Sequence, residues 1–189
     1  MQIIRFAELK AEPWRNGGGV TREIARQASE DGGWNWRVSI ADVAKAGDFS
    51  AFPGMERVLT VIEGELLVLT VDGAEHPMEK YRPFRFDGGA ATTAKLPTGD
   101  IRDLNIITRK AACKGYTSII ELSKKRAHPL FEGQLGVLLQ GQAVASEGGA
   151  EPVELGRYDT VAGSDGDPPE ILGRGFLAVV SVDPVTAAD

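Results

Sequence analysis

The chain has 189 residues, with 21 Lys and Arg against 27 Asp and Glu for a net charge of −6, one cysteine (Cys113) and two histidines (His76 and His128). Zinc sites need three or four Cys or His ligands, and a facial-triad iron needs two histidines and a carboxylate at one point, so no metal or other cofactor is expected. Intrachain disulfides are excluded, the lone thiol suits a cytoplasmic protein, the acidic balance speaks against nucleic acid, and neither a signal peptide nor the ~20 apolar residues of a membrane span are present.

Twenty-three glycines and ten prolines cut the chain into short apolar runs, the pattern of an all-β protein. A chain of this length buries roughly 70% of its unfolded surface, enough for one large core or two small ones. A helical turn is expected near residues 7–10. Residues 13–23 (PWRNGGGVTRE) follow, the most unusual segment. Gly17, Gly18 and Gly19 can adopt conformations closed to other residues and present consecutive N–H groups to an anion; the alternative is a tight turn feeding an edge strand. No Gly-Lys-Ser/Thr follows, so this is not a P-loop. Arg15 and Asn16 would add a guanidinium fork and an amide to an oxyanion site.

Residues 34–40 form the clearest strand, with Trp34, Trp36, Val38 and Ile40 on an apolar face and Asn35, Arg37 and Ser39 on a wet one. A second helical turn is expected at 42–46. Arg57 then opens a strand that carries Leu59 and Val61 on the same face. Pointing inward, it would need a carboxylate from Asp103 or from a ligand; otherwise it snorkels outward. The runs 58–62 and 66–71 flank Glu63-Gly64-Glu65, and Asp72-Gly73 supplies the next hairpin turn. Further strands are expected at 84–86, 91–96, 101–108, 116–122, 136–144, 158–162 and 175–182.

Self-comparison reveals a repeat. Residues 58–73 resemble 135–149 with Gly64 set against Gly141, an offset of 77; 84–88 fall against 159–163 at 75, and 104–107 against 178–181 at 74. The order of strands and turns is that of a jelly roll, or double-stranded β-helix. The expected architecture is thus a bicupin, with cupin-like barrels at 1–110 and 111–189. Such interiors either fill with side chains or enclose a small-ligand cavity. The halves differ in their last strands. Residues 176–182 are apolar on both faces, whereas 101–109 place Asp103, Asn105 and Arg109 on one face and Leu104 and Ile106 on the other. Alternation does not say whether the Asp103/Asn105 face lines a cavity or meets water.

The segments PWRNGGGVTREIA (13–25), WRVSIADV (36–43), FSAFPGMERVLTVIEG (49–64), PFRFDG (83–88) and IRDLNIITR (101–109) together resemble the HutD/Ves family of bicupins. The match covers the first half and, more weakly, the repeat. The resemblance implies a metal-free regulatory protein linked to histidine utilisation, with urocanate or formylglutamate as the class of ligand. It also implies a cavity lined by Trp14, Arg15, Asn16, Arg57, Asp103 and Asn105, with Phe49, Phe52, Phe84 and Phe86 as apolar walls. Arg57 would meet a ligand carboxylate bidentately, Asn105 would orient it, and Asp103 would hold Arg57 or Arg15 in place. Both histidines read as surface residues.

The expected function is therefore non-enzymatic binding of a small anionic metabolite. The alternative is a metal-independent isomerase, lyase or amide hydrolase. Against it, no histidine is placed as a base, no Ser or Cys has an adjacent base, and neighbouring arginines are expected to lower the pKa of Asp103. A carboxylate pair of Asp103 with Glu23 or Glu63 would favour it. Exposed edge strands could also join two copies into a homodimer.

Overall fold

Short alternating runs between glycine turns have few ways to satisfy their backbone other than by pairing, and in a computed structural model describing residues 1–186 they pair into three antiparallel sheets. A six-stranded sheet runs in the order Ala11–Pro13, Gly19–Ala28, Trp34–Val43, Ile101–Arg109, Met55–Glu63, Phe84–Asp87. A four-stranded sheet runs Gly47–Asp48, Thr92–Lys95, Leu66–Val71, Ala74–Glu79. The third sheet is built on the long pair Gln134–Ser146 and Glu170–Pro184, with Gln2–Ile4 added through Thr160–Ala162.

The only helix among the described residues is a single 3-10 turn at Phe6–Glu8, close to the turn expected at 7–10. The turn expected at 42–46 does not form, because Asp42 and Val43 remain paired on both sides, to Val20 and Gly19 and to Arg102 and Ile101. No helix of the described residues is long and apolar enough to cross a membrane.

The chain divides into two compact units. One joins Met1–Leu9 to Tyr116–Val182; the other joins Lys10–Gly115 to residues 183–186. The unit boundaries thus differ from the chain-order halves at 110/111, because Gln2–Ile4 pairs with Thr160–Ala162. The Arg5 guanidinium also meets the buried carboxylate of Asp159 at 2.7 Å.

The repeat recurs in the pairing. In the first half Asp103 faces Val61, Asn105 faces Leu59 and Ile107 faces Arg57. At the sequence offsets of 77 and 74 the counterparts pair in the same register, Leu177 with Leu138, Val179 with Gly136 and Ser181 with Gln134. Gly64 and Gly141, the anchors of the comparison, share a left-handed backbone at φ +87° and +100°. A Cβ would strike the facing strand at both positions, 2.8 Å from the Asp100 carbonyl and 1.9 Å from that of Arg174.

Within the Lys10–Gly115 unit the six- and four-stranded sheets share one core. Val43, Leu59, Val61, Phe86 and Ile101 from the first pack with Leu67, Leu69, Met78 and Ala94 from the second. Burial of each large aliphatic side chain there contributes about 1.5–3 kcal/mol. This core occupies one end of the inner face of the six-stranded sheet. Farther along the same strands, polar residues replace it.

Candidate functional site

Ile101, Asp103, Asn105 and Ile107 alternate onto one face of a central strand. Their partners there are Val61, Leu59 and Arg57 on one side and Ala41, Ser39 and Arg37 on the other. Ile101 joins the core, while Asp103, Asn105 and Ile107 line a cavity of about 420 Å³ with Arg37, Ser39, Ala41 and Arg57. That volume lies within the range of small-molecule sites, ~300–1,000 Å³. The strand face carrying Asp103 and Asn105 is therefore the cavity face. Leu104 and Ile106, on the opposite face, are fully buried too. The face of residues 35–39 that reads as wet turns Arg37 and Ser39 into this cavity.

The Gly-rich segment closes the mouth. Gly17, at φ +68°, turns the chain between Ala11–Pro13 and Gly19–Ala28, and a Cβ at Gly19 would lie 2.5 Å from the Asp42 carbonyl. The Gly17 N–H donates to the Trp14 carbonyl at 3.0 Å and the Gly18 N–H to Asn16 Oδ1 at 2.9 Å. These two donors are committed within the turn. The turn delivers Trp14, Arg15 and Asn16 to the cavity. Trp14 Nε1 donates to Thr21 Oγ1 at 2.7 Å and the Trp14 ring stands edge-on to Phe49 at 5.6 Å. Asn16 Nδ2 reaches the Asp48 carbonyl at 3.4 Å, and Arg15 stands exposed at the mouth.

Arg57 is only 5% exposed. Its guanidinium carbon lies 5.1 Å from the Phe86 ring centroid, 5.5 Å from Phe49 and 5.6 Å from Phe52, and Nη1 donates to the Ser50 carbonyl at 3.3 Å. Three π faces and one carbonyl thus hold a buried cation where a carboxylate partner was expected. No ion pair joins Arg57 to Asp103 among the described residues, and Arg57 Nε has no hydrogen-bond partner there. Burial lowers the pKa of Arg57 to about 10, against the opposing effect of Asp103, and the group stays cationic at neutral pH.

Phe86 belongs to this cage, whereas Phe84 stands behind it. Phe84 stacks on Phe86 at 5.7 Å and packs against the His76 ring at 4.6 Å, and neither phenylalanine, both expected as cavity walls, lines the cavity. His76, expected at the surface, is therefore half-buried against an aromatic ring, and His128 is half-buried as well.

Asp103 departs most from expectation. It is 1% exposed and burial raises its pKa to about 7; Arg57 pulls the other way and Asp42 adds to the rise. The arginines lose because none touches it: Oδ1 has no hydrogen-bond partner among the described residues, nor does Oδ1 of the neighbouring Asn105. Asp42 shows the contrast. Partial burial raises its pKa, but ion pairs with Arg102 at 2.5 Å and Arg22 at 2.8 Å outweigh this and leave it lowered. A carboxylate pair does not form, since Glu23 meets Arg37 at 2.9 Å, Glu63 meets Arg102 at 3.3 Å, and neither lines this cavity. Arg37, Ser39, Phe49, Ser50 and Phe52 also line the cavity, as do Glu12, Pro13, Thr21 and Asp48; of these only Phe49 and Phe52 were expected from sequence. Among the described residues no group of three or more His, Cys, Asp or Glu is placed to hold a metal.

The family model described as HutD matches residues 6–179. An uncharacterized 21.2 kDa protein of the hutC 3′ region of Pseudomonas putida is 34% identical over 178 residues, covering 92% of this chain and 90% of that protein. Protein Ves of Citrobacter koseri is 37% identical over 123 residues, 64% of each chain. The solved structure of HutD from Pseudomonas fluorescens SBW25 superposes with a TM-score of 0.81 at 30% identity, over 98% of this chain and 99% of that one. A cupin 2 conserved barrel domain protein from Leptotrichia buccalis shares the fold at a TM-score of 0.65 and 10% identity, over 96% of both chains. An all-β chain with cupin-like neighbours, matched by that family model along most of its length, belongs to the HutD family.

Proposed function

We propose that this protein is a cytoplasmic, non-enzymatic bicupin that captures a small carboxylated metabolite in its first half and regulates histidine utilisation by doing so. One observation carries the reading: a cationic Arg57, caged by three phenylalanines at the floor of a cavity, retains an unpartnered Nε. Three rings and a carbonyl fix the guanidinium without neutralising it. A ligand carboxylate would supply both the missing acceptor and the countercharge.

The repeated register and the likeness to a cupin barrel support two cupin-like barrels. The P. putida relative lies in the hutC 3′ region, and the P. fluorescens structure is described as a formate condition, so carboxylates of the urocanate, formylglutamate and formate class are the first ligands to test. Binding would act by mass action on the metabolite or by shifting a conformational population read by a partner.

A thermal-shift screen of formate, urocanate, formylglutamate, glutamate and histidine against wild type and Arg57→Ala tests this. At least one carboxylate raises the wild-type Tm and fails to raise that of the variant. If none raises the wild-type Tm, carboxylate capture is wrong.

A second reading rests on Asp103. A buried carboxyl with a pKa of about 7 beside a cation can both donate and accept a proton at neutral pH, as a metal-independent isomerase, lyase or amide hydrolase would require. NMR of each stabilising ligand in the presence of the protein separates the two, because a receptor returns its ligand unchanged and an enzyme consumes it.

A further inference from the structure

The two halves of the repeat extend their sheets at opposite ends. In the first, Trp34–Val43, Ile101–Arg109, Met55–Glu63 and Phe84–Asp87 lie side by side, and Gly19–Ala28 adds a strand beside Trp34–Val43. In the second, Cys113–Leu122, Glu170–Pro184, Gln134–Ser146 and Thr160–Ala162 follow in the equivalent order, but the added strand, Gln2–Ile4, sits at the other end, beside Thr160–Ala162. The place beside Cys113–Leu122 is therefore taken by no strand among the described residues.

The other strands that end a sheet are protected against further pairing. Gln2–Ile4, Ala11–Pro13, Gly47–Asp48 and Phe84–Asp87 have only two to four residues, and Ala74–Glu79 carries Pro77. Cys113–Leu122 has ten residues and no proline. Near its start Arg85 Nη2 donates to the Gly115 carbonyl at 2.6 Å, and residues 116–122 lie beyond that contact. Residues 115–120 (GYTSII) carry no charge and are mostly β-branched or aromatic, a composition suited to strand pairing. Ile120 and Leu122 pack on the apolar core of their own sheet, which holds the edge extended in advance of any binding.

Lys124, Lys125 and Arg126 come next, all exposed. Their loop is pinned to Glu170–Pro184 at both ends, since the Gly173 N–H donates to the Ser123 carbonyl at 3.3 Å and His128 pairs with Ile171. In a chain of net charge −6, three consecutive cations thus stand at the end of an uncharged strand edge.

We propose that the edge of residues 116–122 docks an extended, acidic segment of another protein, which adds to the sheet as a strand and sets its carboxylates against Lys124, Lys125 and Arg126. Backbone pairing supplies the affinity and the cations supply the selectivity. A second copy of this chain fits less well. Antiparallel pairing of two such edges would bring the cationic loop of each copy toward Lys114 of the other, and like charges set opposite one another are destabilising.

Fluorescence anisotropy with a labelled peptide in which Glu alternates with Val and Thr makes the test. Its controls are the same peptide with Lys for Glu, and one with Pro for Val, which keeps the charge but cannot pair as a strand. The acidic peptide should bind wild type about tenfold or more tightly than either control, and should lose about tenfold in affinity when Lys124→Ser, Lys125→Ser and Arg126→Ser are combined in the exposed loop. It should also slow hydrogen exchange at backbone amides of residues 116–122. No binding of the acidic peptide, equal binding of the proline version, or protection that spares residues 116–122 overturns the proposal. So does a concentration-dependent dimer that protects the same amides without peptide, because it gives the edge to a second copy.

Discussion

Asp103→Asn isolates the energetic consequence of leaving a carboxyl without a partner in the cavity floor. The folded-state pKa of Asp103 is raised from 3.8 to about 7 because burial outweighs the attraction of Arg57. The sign of its pH dependence follows. Below about pH 4 the group is protonated in both states and costs nothing. Between about pH 4 and pH 7 the unfolded chain releases the proton while the folded protein keeps it, so stability falls as pH rises. Above about pH 7 both states are ionised and the loss is complete. At about 1.4 kcal/mol for each tenfold change in proton affinity, the total is on the order of 4 kcal/mol. Asparagine keeps the shape and cannot ionise, so any cost of its own amide is independent of pH.

Urea denaturation of wild type and Asp103→Asn at pH 4, 5.5, 7 and 8.5 reads the difference directly. The stability of the variant relative to wild type should climb by about 1.4 kcal/mol per pH unit, or about 2 kcal/mol per step of the series, up to about pH 7 and then level off. Using the difference cancels carboxylates with the opposite behaviour, such as Asp42, whose lowered pKa makes it stabilising at neutral pH and less so in acid. A pH-independent difference would mean that Asp103 is solvated or paired. A relative stability that falls with pH would mean that Arg57 holds the carboxylate as a true ion pair. Either result would refute the burial argument.

Arg57→Lys keeps the charge but loses the planar fork that stacks on three rings; carboxylate affinity measured by calorimetry should drop about tenfold or more, and an unchanged affinity would reduce Arg57 to a point charge. Gly141→Ala should lower stability by more than about 2 kcal/mol, since it adds a clash with the Arg174 carbonyl to an unfavourable φ, whereas Gly73→Ala, at φ +86° with no neighbouring atom within 4 Å, should cost about 1 kcal/mol; equal losses in thermal melts would discount the close approach of the strands. Leu177→Ala should cost about 2–5 kcal/mol by chemical denaturation, because this fully buried side chain sits in an apolar core and its truncation leaves a cavity there.

Most of the strands, the turn glycines and the repeat were legible in the sequence, because each leaves a local mark, period-two alternation or a glycine where φ must be positive; Gln2–Ile4, Gly19–Ala28 and Ala74–Glu79 were not expected as strands. The offsets of 77 and 74 proved to be the register of two equivalent strand pairs. Arg57, Asp103, Asn105, Trp14, Arg15 and Asn16, which the family resemblance implies as a shared lining, do line one cavity, whereas the pattern of the strands alone leaves their face open. Depth was not legible. Phe84 and Phe86 share a strand face, yet one faces Arg57 and the other His76, and nothing in alternation separates them. Arg37 and Ser39 were read as wet because a polar-lined cavity and bulk water impose the same period of two on a strand. The pKa of Asp103 was misjudged for a related reason. Nearby arginines in sequence say nothing of whether any of them reaches the carboxyl.

Comparison of the two halves resolves the ambiguity that a single strand leaves. Leu177 and Val179 occupy the positions of Asp103 and Asn105, face the counterparts of Val61 and Leu59 in the same register, and belong to an apolar core. An outward, solvated face would have no need of leucine and valine at those positions, so the repeat itself marks the Asp103/Asn105 face as interior. On the same scaffold the first half carries, at these two positions, polar side chains whose Oδ1 atoms find no partner among the described residues. Such a replacement forgoes the burial energy of two aliphatic side chains and adds a desolvation cost of about 1–3 kcal/mol for each unpaired group. A ligand that binds the folded state alone can recover that deficit, and this ties the stability of the first half to occupancy of its cavity.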